Sequence, residues 1–349
     1  MTPFSYYPQP LITASTLRKI QLQRIIFTLI SGLLLLIAIS GRLHAEPFIT
    51  VDGIPAKDLQ AAFNQAHDDS TILLSAGDFK QAGLLKANRV TISGVSGKTR
   101  IHSATTKGKG ALVIKGNDTR IQNIECFNIQ VHSKNGACIR LSGKNLHIDN
   151  VYFHDSEQGL LAGSHPGDII INNSRFERLG KNGRAHGIYV GGGTLVIMNS
   201  YFLASKSEGH EIKSRAQRTT IINSVIASLD GNDSRLIDAP NGGVLELKNN
   251  ILQQGPMSSN RDMIGYGLEG YKYPDNQIHI MDNLFIMERK GNVPLNRKQT
   301  DIAIQMDNNT FVGNQLASPI DDNQYFPDRQ AAQLPLSPAL PDKWPAQGH

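Results

Sequence analysis

Asp168-Ile169-Ile170-Ile171-Asn172-Asn173-Ser174-Arg175-Phe176, Thr194-Leu195-Val196-Ile197-Met198-Asn199-Ser200-Tyr201-Phe202 and Arg218-Thr219-Thr220-Ile221-Ile222-Asn223-Ser224-Val225-Ile226 repeat one pattern. A β-branched run leads to an asparagine, and a large apolar residue stands three positions beyond it. Asn150 before Phe153, Asn249 before Leu252 and Asn308 before Phe311 extend the series. From Phe153 to Leu252 the apolar partners fall 23, 26, 24 and 26 residues apart, and after one longer interval they resume at Phe285 and Phe311. A fixed period of this length is the mark of a solenoid. Short β-branched runs broken by Gly, Asn and Ser read as strand and turn. A helical repeat needs two apolar stripes at 3.6-residue spacing in each period, and none is present. The chain therefore reads as all-β, a single-stranded parallel β-helix.

In such a coil each turn position lies about 4.8 Å from its counterpart on the next coil. Stacked amides can then bond along the axis, and Asn tolerates the left-handed backbone of a tight turn. On these residues the chain, over about 50 to 315, resembles the pectate-lyase-type right-handed parallel β-helix, a superfamily with many enzymes acting on acidic polysaccharides. The exposed core at a solenoid end needs a cap. Asp58 to His67 puts Leu59, Ala62, Phe63 and Ala66 on one helical face before the strand Thr71-Ile72-Leu73-Leu74, which is similar to the N-terminal capping helix of that superfamily.

Ahead of the cap, Arg18, Lys19 and Arg24 precede an apolar run from Ile25 to Ser40 that ends near Leu43-His44-Ala45. This is the layout of a signal peptide, and the run is shorter than the roughly 20 residues of a spanning helix. Export to the periplasm or medium with cleavage near Ala45 is the expectation; an uncleaved inner-membrane anchor facing the periplasm is the alternative. Residues 1–45 hold four basic residues and no acid, so the formal +5 of the chain falls to about +1 without them. That removes the electrostatic case for a nucleic-acid partner. Cys126 and Cys138 bracket a strand end and the next strand start, either as a disulfide or as two half-buried thiols. One domain, 46–317, is expected to act as a monomer, followed by a tail, 318–349, with six prolines in 32 residues.

Candidate chemistry emerges when coils are aligned on Ile139, Ile188, Ile212, Ile237 and Ile264 as the inward position. Side chains alternate across a strand. Tyr189, Glu211, Lys213 and Asp238 are then expected on one exposed strip, with His186, His210 and Arg235 at its edge and Arg140 earlier in the column. The histidines act in catalysis or instead bond turn carbonyls. Ser207-Glu208-Gly209-His210-Glu211-Ile212-Lys213-Ser214, with Arg235 one coil on, resembles the active-site string of alginate-lyase and chondroitinase-B-type lyases. The resemblance implies Lys213 as the base that takes the proton α to a uronate carboxylate. It makes Arg235 the partner of the departing oxygen and Glu208 a calcium ligand.

Lys206 stands where a second acidic ligand is expected, and Leu236 where the family has His after Arg. A calcium-free site is therefore also open, with Arg235, Arg215 or a protonated histidine meeting the carboxylate, since guanidinium binds carboxylate in bidentate fashion. Tyr189 is an alternative proton carrier. The expected partner is an anionic polysaccharide and the expected activity β-elimination. C5-epimerisation of the same substrates, hydrolysis by Glu211 and Asp238, and non-catalytic polysaccharide binding are the alternatives.

Overall fold

The computed structural model describes residues 46–299, 301–313, 322–336 and 338. The expected signal segment and its cleavage site lie outside the described residues. Among the described residues, no helix is long and apolar enough to cross a membrane. From Pro47 onward the chain forms one compact unit, a right-handed parallel β-helix of about nine turns.

Three sheets run along it, of 12, 11 and 9 strands, parallel except that Ile49–Val51 pairs antiparallel with Ile54–Ala56 and with Thr71–Leu74 at the N-terminal end of the first. Each coil contributes one strand to each, as in Thr194–Met198, Tyr201–Leu203 and Ile212–Ser214. The first sheet alternates cleanly, Leu195 and Ile197 buried and Thr194, Val196 and Met198 facing out. In the second sheet the inward column holds Phe153, Phe176, Phe202, Ile226, Leu252, Phe285 and Phe311 in direct register. The rings of Phe176 and Phe202 stack at 4.7 Å between centroids, as do those of Phe285 and Phe311 at 4.8 Å. The repeat read from the sequence is thus the rung spacing of the core.

The asparagines do form one turn column, all at φ between +46° and +54°. Asn249 donates to Asn223 at 2.8 Å and Asn223 to Asn199 at 3.4 Å. Elsewhere the amides diverge, for Asn173 donates to Asp149 and Asn199 donates to Asn172. The stricter ladder is one residue further on and inside. The backbone N–H of Val151 donates to Ser174 Oγ, and those of Ser174 and Ser200 donate to Ser200 and Ser224 Oγ. The N–H groups of Ser224, Asn250, Asn283 and Asn309 then donate to the side-chain carbonyls of Asn250, Asn283, Asn309 and Asn323. Asn323 leads into a last strand, Gln324–Phe326, whose Tyr325 stacks on Phe311 at 5.2 Å. Stacking thus continues past residue 317, the boundary expected for the coil.

The helix Leu59–Gln65 is capped by Asp58, whose carboxylate accepts from the N–H of Ala61 at 2.7 Å. Its buried Leu59, Ala62 and Phe63 face the first coil, with Phe63 so close to Gly83 that a Cβ there would lie 2.6 Å from the ring. Cys126 and Cys138 form a disulfide between the second and third sheets, and both are fully buried rather than half-buried.

Asn250→Ala should lower stability by about 1–3 kcal/mol, the cost of leaving the buried N–H of Ser224 without its side-chain acceptor, with the amide's bond to the carbonyl of Ile221 lost as well. Asn223→Gly keeps the left-handed turn and loses only exposed amide contacts, so it should cost less than about 1 kcal/mol. Urea titration of both variants checks the order, and equal losses would mean that the inner ladder is not the stronger one.

Candidate active site

The third sheet carries the candidate site. Its inward column runs Ile139, Leu160, Ile188, Ile212, Ile237, Ile264. The outward neighbours therefore align as Arg140, Leu161, Tyr189, Lys213, Asp238, Gly265. Tyr189, Lys213 and Asp238 are on successive rungs. The rung of Leu160 and Leu161 intervenes before them, so Arg140 lies two rungs from Tyr189, about 10 Å. No ion pair reaches Arg140 among the described residues, and burial lowers its pKa.

The strip is a closed network rather than an exposed ridge. Asp238, 2% exposed, takes Lys213 Nζ at 3.0 Å and His210 Nε2 at 3.4 Å on one oxygen, and Arg235 at 3.3 Å on the other. Arg235 also reaches Asp262 at 3.4 Å, which receives Asn296 at 2.7 Å. Gly265 makes room for that arginine, for a Cβ there would lie 2.7 Å from Arg235 Cδ and Nε. On the other side, Arg215 donates from Nε to the Tyr189 hydroxyl at 2.8 Å and from a terminal nitrogen to Asn241 at 2.7 Å.

Closure comes from Glu269, in the segment 267–276 between the third and first sheets. Its carboxylate bridges Lys213 at 3.5 Å and Arg215 at 2.7 Å. Burial disfavours its charge, but the hydrogen bond and charge of Arg215 prevail and hold the carboxyl below its usual range. The 33-residue interval from Leu252 to Phe285 marks this coil as longer than its neighbours, yet alignment on the isoleucines does not place Glu269 beside Lys213.

His186 and His210 stack at 4.9 Å and bond turn N–H groups rather than turn carbonyls. Nδ1 of His186 accepts from the N–H of His210, and Nδ1 of His210 from that of Arg235, both at 3.1 Å. A ring that accepts at Nδ1 is the neutral tautomer with its proton on Nε2. Burial first, then nearby positive groups, push both pKa values well below the usual imidazole range. In His210 that Nε2–H faces Asp238.

Glu211, expected on the exposed strip, is 1% exposed and turned inward. The N–H and hydroxyl of Ser205 donate to it at 2.6 and 2.7 Å. Strand alternation fails here because Glu211 stands ahead of the strand Ile212–Ser214, in the turn from the second sheet. Burial, then the nearby Asp233, push its carboxyl well above the usual range. Asp233 itself is raised to about 7, chiefly by burial against the bond from Ser228. Glu211 and Asp238 thus belong to separate networks and do not form a facing pair. Glu208 occupies the turn at φ +62°, and among the described residues no three His, Cys, Asp or Glu side chains group to hold a metal ion.

No family model matches the chain, and no curated protein matches it by sequence. By structure it is similar to ORF18 of Geobacillus virus E2, with 13% identity, 79% of this chain and 55% of that chain covered, and a TM-score of 0.50. It is similar as well to the catalytic unit of a thermostable GH87 α-1,3-glucanase from Streptomyces thermodiastaticus, with 14% identity, 77% and 53% covered, and a TM-score of 0.52. Pectate lyase Pel9A is a third, with 13% identity, 71% and 72% covered, and a TM-score of 0.46. The chain spans a little over half the length of the first two. At these identities the likeness establishes the fold.

The two buried groups give opposite pH effects. Asp233 keeps its proton in the folded chain up to about pH 7 and loses it near 3.8 when unfolded, so its contribution favours the fold in acid and fades as pH rises through that window. The histidines refuse protons that the unfolded chain takes below about pH 6.5, so they disfavour the fold as pH falls. Asp233→Asn removes the first effect, relieves Glu211 of that neighbouring charge and leaves the histidines as they are. Relative to this variant, wild type should lose a few kcal/mol, at about 1.4 per pKa unit, between pH 4 and 8. Urea titrations at the two ends measure it, and a constant difference would mean that Asp233 ionises normally.

Proposed function

We propose that this is a polysaccharide lyase that cleaves a uronic-acid-containing polymer by β-elimination on the face built by Tyr189, Lys213, Arg215 and Asp238. The observation that carries the reading is the meeting of a phenol, an ammonium and a guanidinium on adjacent rungs, the phenolic oxygen of Tyr189 accepting from Arg215 at 2.8 Å. Elimination requires a proton to leave C5 while the bond from C4 to its oxygen breaks, and a cation beside the carboxylate as charge builds there. Lys213, whose ammonium is already held by Asp238 and Glu269, serves in this reading as the cation.

Tyr189 takes the proton instead. It does so as the phenolate, whose negative charge Arg215 stands beside, and the hydroxyl formed in that step gives the proton to the departing oxygen at C4, which restores the phenolate. The double bond forms between C4 and C5, and no other proton carrier is needed. Epimerisation would need a second carrier on the opposite face of the sugar. His186 and His210, whose Nδ1 atoms are engaged with backbone N–H groups, support the strip by fixing the turn and Asp238. Arg235 is committed to Asp238 and Asp262, which suits a role in holding the network and the far end of the subsite. The chain works without a resident metal in this reading, and an export route through the Ile25 to Ser40 segment places it in the periplasm or medium, where the Cys126–Cys138 disulfide is stable.

Ultraviolet absorbance of the unsaturated uronate, followed over a panel of anionic polysaccharides, should rise with wild type. Tyr189→Phe should lower kcat by about 10² to 10⁴, the range for loss of a general acid–base group, whereas Lys213→Ala should act on KM as well as kcat. Activity retained in Tyr189→Phe and lost in Lys213→Ala would return the base to Lys213. New reducing ends without absorbance would make the protein a hydrolase and refute elimination.

The export route has its own test. N-terminal sequencing of the protein from the periplasm should begin near Glu46; an intact apolar run on membrane-bound protein would favour the anchor.

A further inference from the structure

Among the carboxylates of the strip, Glu269 stands apart. Asp238 and Asp262 are buried with side chains 3% and 7% exposed, while that of Glu269 is 49% exposed. Its two cationic partners belong to the wall, Lys213 at 13% and Arg215 at 19%. Each carboxylate oxygen meets a different cation, Oε1 facing Lys213 and Oε2 facing Arg215. Both cations are held from behind, Lys213 by Asp238 and Arg215 by Tyr189 and Asn241. The two donors therefore form a fixed fork for one carboxylate at the mouth of the site.

The backbone beneath Glu269 is anchored. Its N–H donates to the carbonyl of Pro240 at 3.0 Å, that of Lys272 to Asn241 at 3.0 Å, and the Tyr273 hydroxyl to the carbonyl of Arg215 at 2.6 Å. Gly267 and Gly270 take the positive φ values of +66° and +115° that turn the segment over the strip. The carboxylate can thus vacate the fork by rotation of its own side chain, with no opening of the segment. A half-exposed ion pair contributes little, so a ligand can displace it.

We infer that Lys213 and Arg215 form the subsite for a sugar carboxylate and that Glu269 occupies it in the free protein as an internal stand-in which an acidic saccharide must displace. The inference rests on the reading of this face as a uronate site, and it adds the position of the carboxylate and a residue that sets affinity for it. An occupant that competes with ligand lowers apparent affinity by the fraction of sites it fills. Removing its charge, with the side chain's size kept, should restore that affinity.

The experiment measures binding of trigalacturonate, trimannuronate and triguluronate by calorimetry at fixed ionic strength, with maltotriose as the neutral probe. The proteins are wild type, Glu269→Gln, Arg215→Gln and Asp275→Asn. The last removes one charge from an exposed position of the same segment without touching the fork. Glu269→Gln should bind at least one acidic probe about two- to fivefold more tightly, the range corresponding to an exposed ion pair. Asp275→Asn and maltotriose should show no such gain, and Arg215→Gln should bind acidic probes more weakly than wild type.

Unchanged or weaker binding of all three acidic probes by Glu269→Gln, or an equal gain in Asp275→Asn, overturns the inference. So does failure of every acidic probe to bind. Tighter binding in Glu269→Gln without any ultraviolet product would leave the carboxylate subsite standing and refute elimination alone. Product formation with the same KM and the same probe affinities in wild type and Glu269→Gln would do the reverse.

Discussion

The structure depends on one constraint: from Val151 onward each coil must satisfy the same backbone N–H at the same turn, inside the protein and away from water. Ser174, Ser200, Ser224, Asn250, Asn283, Asn309 and Asn323 do this in an unbroken chain, each side-chain oxygen receiving the N–H of the coil before it. A buried donor without a partner costs about 1–3 kcal/mol, and here the term recurs once per coil. The switch from Ser to Asn along the chain fits the same need. Each serine hydroxyl also donates to a carbonyl two residues back, while the longer amides of Asn250, Asn283 and Asn309 reach carbonyls of the preceding coil as well. With the turn fixed, the phenylalanines fall into register and the third sheet presents its outward side chains at a constant spacing.

That regularity explains what was legible in the sequence. The rung period, the apolar column and the alignment of Tyr189, Lys213 and Asp238 all follow from one repeat, because parallel in-register strands convert sequence spacing directly into distance. The visible asparagine column led to the right fold through the weaker of two ladders. Its inner neighbour changes from Ser to Asn along the chain and so gives a less uniform signal, although it carries the buried bonds. Glu211 was misplaced for the opposite reason. It stands one residue before a three-residue strand, where alternation no longer governs direction and the buried N–H and hydroxyl of Ser205 are its partners.

Glu269 shows the limit of the repeat. Its segment is an addition to the coil, so no period relates it to the rungs it touches, and it lies more than fifty residues from Lys213 and Arg215 in the chain. Arg140 shows the converse. The repeat places it in the right column, but the omitted rung of Leu160 sets it beyond Leu161 and outside the network.

A stack of outward side chains also has an electrostatic logic. Neighbours in a column are about 4.8 Å apart, a separation at which like charges repel and opposite charges bond, so charges on successive rungs tend to alternate in sign. Lys213 is followed by Asp238, and Arg235 lies between Asp238 and Asp262. A network closed in this way has little attraction for a charged ligand, since each cation is already neutralised. Ligand affinity can arise only where one partner is removable, and a removable partner must be solvent-facing and tied to the fold by its backbone rather than by its charge. Buried Asp238 and Asp262 fail that condition. Glu269 meets it, so under the proposed reading the carboxylate that a ligand would displace comes from outside the repeat.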